Sequence, residues 1–148
     1  MSLKEQIQKD LIEAMKAKNE TALSAIRLLK TAIMKLETSG PAKEATEDDV
    51  LQLVGKEIKS RKESIEQYEK GGRPELAEKE RAEIIVLEKY MPPQLSEDEV
   101  RAIVKDTIAE TGVSSKAEIG KLMGALMPKV KGKADGSQVN KIVQELLQ

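Results

Sequence analysis

The stretch Glu88-Lys89-Tyr90-Met91-Pro92-Pro93-Gln94-Leu95-Ser96-Glu97-Asp98-Glu99-Val100 decides how the chain is organised. Neither proline can donate a backbone hydrogen bond, and each pushes its predecessor out of the helical region, so a helix arriving at Tyr90 ends there. Just beyond, Ser96 followed by Glu99 has capping-box spacing and starts a new helix, with Leu95 placed to staple onto Val100. Residues 92–94 therefore read as a linker between an N-terminal domain, 1–91, and a C-terminal domain, 95–148.

Outward from this break the same punctuation recurs. Ser2 with Glu5, Thr46 with Asp49 and Ser115 with Glu118 each pair a cap with an acid three residues on. Leu3, Ile7, Leu11 and Ala14/Met15, then Ala22, Ile26, Leu29, Ile33 and Leu36, recur at helical steps, predicting two amphipathic helices that stop at Ser39-Gly40-Pro41. A long third helix carries Val50, Val54, Ile58, Ile65 and Tyr68 to Gly71-Gly72, and Pro74 opens a fourth at the first-turn position where proline fits. Beyond the break, one helix runs through Val100, Ile103, Val104, Thr107 and Ile108 to Gly112. A second spans about Ser115 to Met127 and is stopped by Pro128, and a third carries Val139, Ile142, Val143, Leu146 and Leu147. The expected fold is all-α, with an N-terminal bundle of about four helices and a C-terminal three-helix domain.

Composition removes whole classes of chemistry. The 148 residues include no His, Cys, Trp or Phe. That excludes disulfides, thiolate nucleophiles, imidazole or thiolate metal ligands and any Ser-His-Asp triad. The core must be built from aliphatic side chains. Tyr68 and Tyr90 alone cannot form the stacking platform of a single-strand binder. No P-loop, nucleophile elbow or dinucleotide fingerprint occurs, so neither cofactor nor metal is expected. No apolar run is long enough to span a membrane, and Lys4, Glu5, Lys9 and Asp10 interrupt what a signal peptide would need. The chain reads as cytoplasmic.

The net charge of −1 conceals a gradient. Residues 91–111 hold 2 basic and 5 acidic side chains, whereas residues 112–148 hold 6 basic and 3 acidic ones. Lys129, Lys131 and Lys133 alternate in a segment punctuated by Gly132 and Gly136, and if extended they project to one side. The segment also leads into a helix whose first amides favour phosphate, beside Asn140 and Lys141. A phosphate-binding loop and a solvated turn are the two readings. Gly120 and Gly124, flanking Lys121, permit close approach of either a neighbouring helix or a ligand backbone. The run from Lys56 to Glu63 looks basic, but Glu57/Arg61, Lys59/Glu63, Lys62/Glu66 and Glu66/Lys70 are spaced for mutual ion pairs on a solvated face. Glu47-Asp48-Asp49 and Glu97-Asp98-Glu99 follow caps, where acids support the helix dipole rather than bind magnesium.

Three stretches carry a resemblance to a known family. They are Arg61-Lys62-Glu63-Ser64-Ile65-Glu66-Gln67-Tyr68 leading into Lys70-Gly71-Gly72-Arg73; Glu88-Lys89-Tyr90-Met91-Pro92 with Leu95-Ser96; and Gly120-Lys121-Leu122-Met123-Gly124 through Lys131-Gly132-Lys133-Ala134-Asp135-Gly136 to Val139-Asn140. On these the chain resembles the YqeY-like proteins over nearly its full length. Its C-terminal part also resembles the tail domain of GatB, a subunit of the tRNA-dependent amidotransferase. In GatB the tail contacts tRNA and other parts of the complex carry the chemistry. The resemblance thus implies tRNA or another structured RNA as ligand, and together with the charge pattern the expected contacts are Lys121, Gly124, Lys129, Lys131, Gly132, Lys133, Asn140 and Lys141. A glutamine-dependent carbon–nitrogen ligase label would be inherited through the shared domain without catalysis in this chain. The other readings are a helical protein-binding adaptor and an amidotransferase-associated subunit.

Overall fold

A computed structural model describes residues 1–41 and 43–147, and among these every regular element is helical. The helices are α1 (Leu3–Ala17), α2 (Glu20–Thr38), α3 (Glu47–Lys70), α4 (Pro74–Glu88), α5 (Glu97–Thr111), α6 (Ile119–Val130) and α7 (Gly136–Leu146), with a 3-10 turn, Lys116–Glu118, before α6. The chain divides into two compact units, Met1–Met91 and the residues from Pro92 onward. No helix among the described residues is long and apolar enough to cross a membrane.

The caps explain where most helices begin. Ser2 and Glu5, Thr46 and Asp49, and Ser96 and Glu99 form reciprocal boxes, each side chain meeting the other residue's backbone N–H at 2.9–3.2 Å. Two orphan amides are satisfied at each start. Asn19 caps α2 by accepting from the Ala22 N–H at 3.1 Å, and Lys18, with φ of 55°, turns the chain between α1 and α2. Pro74 occupies the first turn of α4.

In the N-terminal unit α3 packs along α4, α2 lies against α4, α1 and α3, and α1 also touches α3. Ile7, Ile26, Leu29, Val50, Val54 and Leu87 are fully buried. The Tyr90 hydroxyl donates to Asp10 Oδ2 at 2.5 Å, tying the chain just after α4 to α1. In the other unit α5 packs on α6 and α7, around Val100, Val104, Leu122, Leu126, Val130, Val139 and Val143. Leu95 packs against this cluster, and its N–H donates to the Lys133 carbonyl at 2.8 Å.

Two expected features are corrected. Helix α6 does not stop at Pro128 but runs through it to Val130. A proline in the last turn deletes one intrahelical bond, and the burial of Val130, 1% exposed, holds the turn in place. The Ser115/Glu118 capping box also fails to form: Ser115 makes no side-chain cap bond, and the chain takes a 3-10 turn before α6 begins. Glu118 meets Ser114 Oγ at 3.5 Å instead.

Candidate nucleic-acid interface

Because α6 reaches Val130, the three lysines expected in one extended loop are divided. Lys129 lies in the last turn of α6, and its Nζ donates to Glu110 Oε2 at 2.8 Å and to Thr107 Oγ1 at 3.0 Å, both on α5. Thr107 is fully buried and its own hydroxyl donates to the Ile103 carbonyl at 2.7 Å. Lys129 thus fastens the end of α6 to α5, with its ammonium already engaged.

The chain then turns tightly rather than extending. The Lys131 N–H reaches the Met127 carbonyl at 2.9 Å, and the Lys133 and Ala134 N–H groups converge on the Val130 carbonyl at 2.9 and 3.1 Å. Gly132, at φ of 75°, supplies the left-handed residue that the turn requires. Its carbonyl accepts from Gln94 Nε2 at 2.9 Å, so the linker and the turn brace each other. Lys131 and Lys133 are exposed.

At the start of α7 the Asp135 carboxylate accepts from the Ser137 N–H at 2.9 Å. The protein's own anion therefore occupies part of a helix terminus whose first amides would otherwise favour phosphate. Asn140 and Lys141 are exposed one turn further on. Lys141 also lines a shallow groove of about 310 Å³ with Glu97, Ser137, Gln138 and Ile142. Nearby, Arg101 bridges Glu97 at 3.3 Å and Glu145 at 2.9 Å, and the bond to Glu145 holds its guanidinium above its ordinary value.

The outward face of α6 carries the remaining candidates. With Leu122, Leu126 and Val130 buried, Gly120, Lys121, Gly124 and Pro128 project to the opposite side and all are exposed. A Cβ added at Gly120 or Gly124 would meet nothing within 4 Å. The neighbouring-helix reading of these glycines is therefore corrected, since no helix of the C-terminal unit packs against them among the described residues. Lys121, Lys133 and Lys141 have no carboxylate within 4 Å among the described residues.

The run from Lys56 to Glu63 also departs from expectation. Arg61 is buried, 5% exposed, with Glu57 at 2.9 Å, Glu83 at 3.4 Å and Glu80 at 3.8 Å. Glu83 is equally buried and accepts from Ser24 Oγ at 3.1 Å. Burial, then the neighbouring Glu83, pushes the Glu80 carboxyl above the ordinary range. Lys70 pairs with Glu66 at 3.3 Å as expected, but Lys59/Glu63 and Lys62/Glu66 do not come within 4 Å. Of the acid runs, Asp49 and Glu99 are taken up by capping boxes, and Glu47 accepts from the Leu3 N–H at 2.9 Å. Among the described residues no cluster of His, Cys, Asp or Glu is arranged to hold a metal.

Comparison with known proteins is decided by one match: the family described as YqeY-like protein aligns with residues 4–147. The chain belongs to the YqeY-like family. Among its relatives, altered inheritance of mitochondria protein 41, mitochondrial, from Pyrenophora tritici-repentis is 37% identical over 145 residues, covering 95% of this chain and 78% of the relative. The protein of the same name from Lachancea thermotolerans is 35% identical over 70% of this chain and 57% of its own length. That from Saccharomyces cerevisiae strain YJM789 is 33% identical over 79% and 66%. These mitochondrial names overturn the cytoplasmic reading. Composition alone does not separate one compartment from another.

Proposed function

We propose that this YqeY-like protein binds tRNA or another structured RNA through its C-terminal unit, by contacts to the ribose–phosphate backbone. The observation that supports this best is that Lys121, Lys133 and Lys141, like Lys116 in the basic final quarter of the chain, are exposed and have no carboxylate within 4 Å among the described residues. Lys131 and Asn140 stand beside them in sequence, also exposed. Lys129 takes a positioning role, holding α6 on α5 so that Lys121 and the turn after Val130 keep their places. Recognition of this kind reads shape and backbone and needs no aromatic platform, in keeping with a chain that has two tyrosines as its only aromatic residues. The GatB resemblance supports the same ligand class. No amide-transfer chemistry is assigned to the chain.

The test is a titration with bulk tRNA at two salt concentrations, beside a variant with Lys121, Lys131, Lys133 and Lys141 all changed to Ala. Four phosphate contacts correspond to a log–log salt slope of about −3 to −4, or roughly a hundredfold loss of affinity between about 50 and 200 mM salt. Saturable binding with that slope, lost in the variant, is expected. A complete lack of tRNA binding by the wild type at either salt would overturn the proposal, and a salt-insensitive complex with another protein, free of RNA, would replace it with the adaptor reading.

A further inference from the structure

The geometry points to the outward face of α6 as the place of closest approach to RNA, with the Gly124 carbonyl accepting a hydrogen bond from a ribose 2′-hydroxyl. This rests on the RNA reading above and specifies which backbone it selects.

The argument begins with Pro128. In an α-helix the carbonyl of residue 124 takes its hydrogen bond from the N–H of residue 128, and a proline there has none to give. Pro128 lies inside α6, so the Gly124 carbonyl loses its ordinary intrahelical donor. It also lies on the solvent side, where helix carbonyls tilt outward. An acceptor is therefore presented beside Gly120 and Gly124, which contribute no side chain and where an added Cβ would meet nothing within 4 Å, with Lys121 and Pro128 framing it on the same face. Internal packing does not explain these glycines: alanine would fit at both positions and favour the helix more.

Charge selects the occupant. Lys121 flanks Gly124 by one turn on the same face, and the exposed Lys133 follows where the helix ends. The lysines call for an anion, but a carbonyl repels a phosphate oxygen and requires a donor. A ribose–phosphate backbone offers both in alternation, anionic oxygens for the lysines and a 2′-hydroxyl for the carbonyl, whereas a deoxyribose backbone offers only the first. The absence of a Cβ lets a sugar come within hydrogen-bond distance of the helix backbone. The prediction is therefore selectivity for RNA over DNA, residing in Gly124 and Pro128, laid over a salt-dependent attraction that resides in the lysines.

The test compares wild type, Gly124→Ala, Pro128→Ala and Lys121→Ala for binding to a tRNA transcript and to an all-deoxy copy of the same sequence. Thermal melts by circular dichroism are run on each protein. Gly124→Ala and Pro128→Ala should melt no lower than wild type, since both substitutions favour the helix. Each should nevertheless lose about tenfold in affinity for the transcript, the loss expected for one hydrogen bond, while DNA binding stays within twofold. Lys121→Ala should weaken both ligands together and reduce the salt slope by about one. If wild type binds the transcript and both helix-favouring variants bind it equally well, this inference is overturned while the proposed function stands. If wild type prefers neither ligand, the inference fails by the same measurement. Absence of all tRNA binding by wild type removes both. Should Gly124→Ala melt low, Pro128→Ala, which adds back an amide and restores a normal helical bond, decides alone.

Discussion

Replacing Arg61 with methionine should destabilise the N-terminal unit and leave the other unaffected. The substitution keeps an unbranched stem on α3 but removes the guanidinium facing Glu57 at 2.9 Å, Glu83 at 3.4 Å and Glu80 at 3.8 Å. Breaking a buried ion pair from one side costs about 3–5 kcal/mol because the remaining charge is stranded. Glu57 and Glu80 keep 23% and 22% of their side chains exposed and are partly hydrated, whereas Glu83 is dry, so the lower end applies, about 3 kcal/mol. With a urea slope of about 1.5 kcal/mol/M, the midpoint should fall by about 2 M. The assay is selective because both tyrosines lie between residues 1 and 91 and there is no tryptophan, so tyrosine fluorescence follows the N-terminal unit alone. The deficit should depend on pH with a definite sign. Burial and Glu83 already raise the Glu80 carboxyl, and Arg61 partly offsets them, so its removal raises that group further. A carboxyl raised in the folded state binds protons more tightly folded than unfolded, so the penalty is complete at about pH 8 and shrinks as pH falls toward the range of a free carboxylate. Adding Glu83→Gln, which keeps an acceptor for Ser24, should recover part of the loss. A midpoint shift below about 0.5 M, or an equal shift in both units, would refute the claim that this cluster is a buried polar lock.

Other expectations follow from local contacts. Ser96→Ala removes the capping box of α5 and should cost the C-terminal unit about 1 kcal/mol, seen as an earlier circular dichroism transition with unchanged tyrosine fluorescence. Lys129→Ala breaks the bonds to Glu110 and Thr107 and should lower the melting temperature of that unit while changing tRNA affinity less than Lys133→Ala does. Glu37 is held below the ordinary carboxylate range by Lys4 and then by the Ala45 N–H. Its stabilising contribution is therefore present above an unfolded carboxylate pKa of about 4.3 and lost as pH falls through the folded value. Glu37→Gln should accordingly flatten the acid limb of unfolding followed by tyrosine fluorescence.

The helices were largely legible because their signals are local. Ser2, Thr46 and Ser96 each need only an acid three residues away, and Pro92-Pro93 acts on its own backbone. Signals that depended on a distant partner were not. Pro128 reads as a stop until the buried Val130 is known to hold the last turn. Lys129 reads as a loop cation until α5 brings Thr107 and Glu110 to it. Arg61 did leave a trace: it falls in register with Val50, Val54, Ile58, Ile65 and Tyr68, so a charge stood on the apolar stripe of α3. Grouping it with the neighbouring charges hid that register. Of the candidate RNA contacts, the sequence marked the lysines and glycines but could not foresee that Lys129 is engaged or that Asp135 caps α7.

The bracing of the turn after Val130 by residues 94 and 95 sets the boundary for anyone dissecting this protein. A fragment begun at Ser96 would keep the α5 cap yet strip the Gly132 and Lys133 carbonyls of the donors supplied by Gln94 and Leu95. Such a fragment would fold with a loosened turn and understate any activity of the lysines there. The excision point belongs at Pro92, so that the segment most easily mistaken for disposable tether travels with the domain it supports.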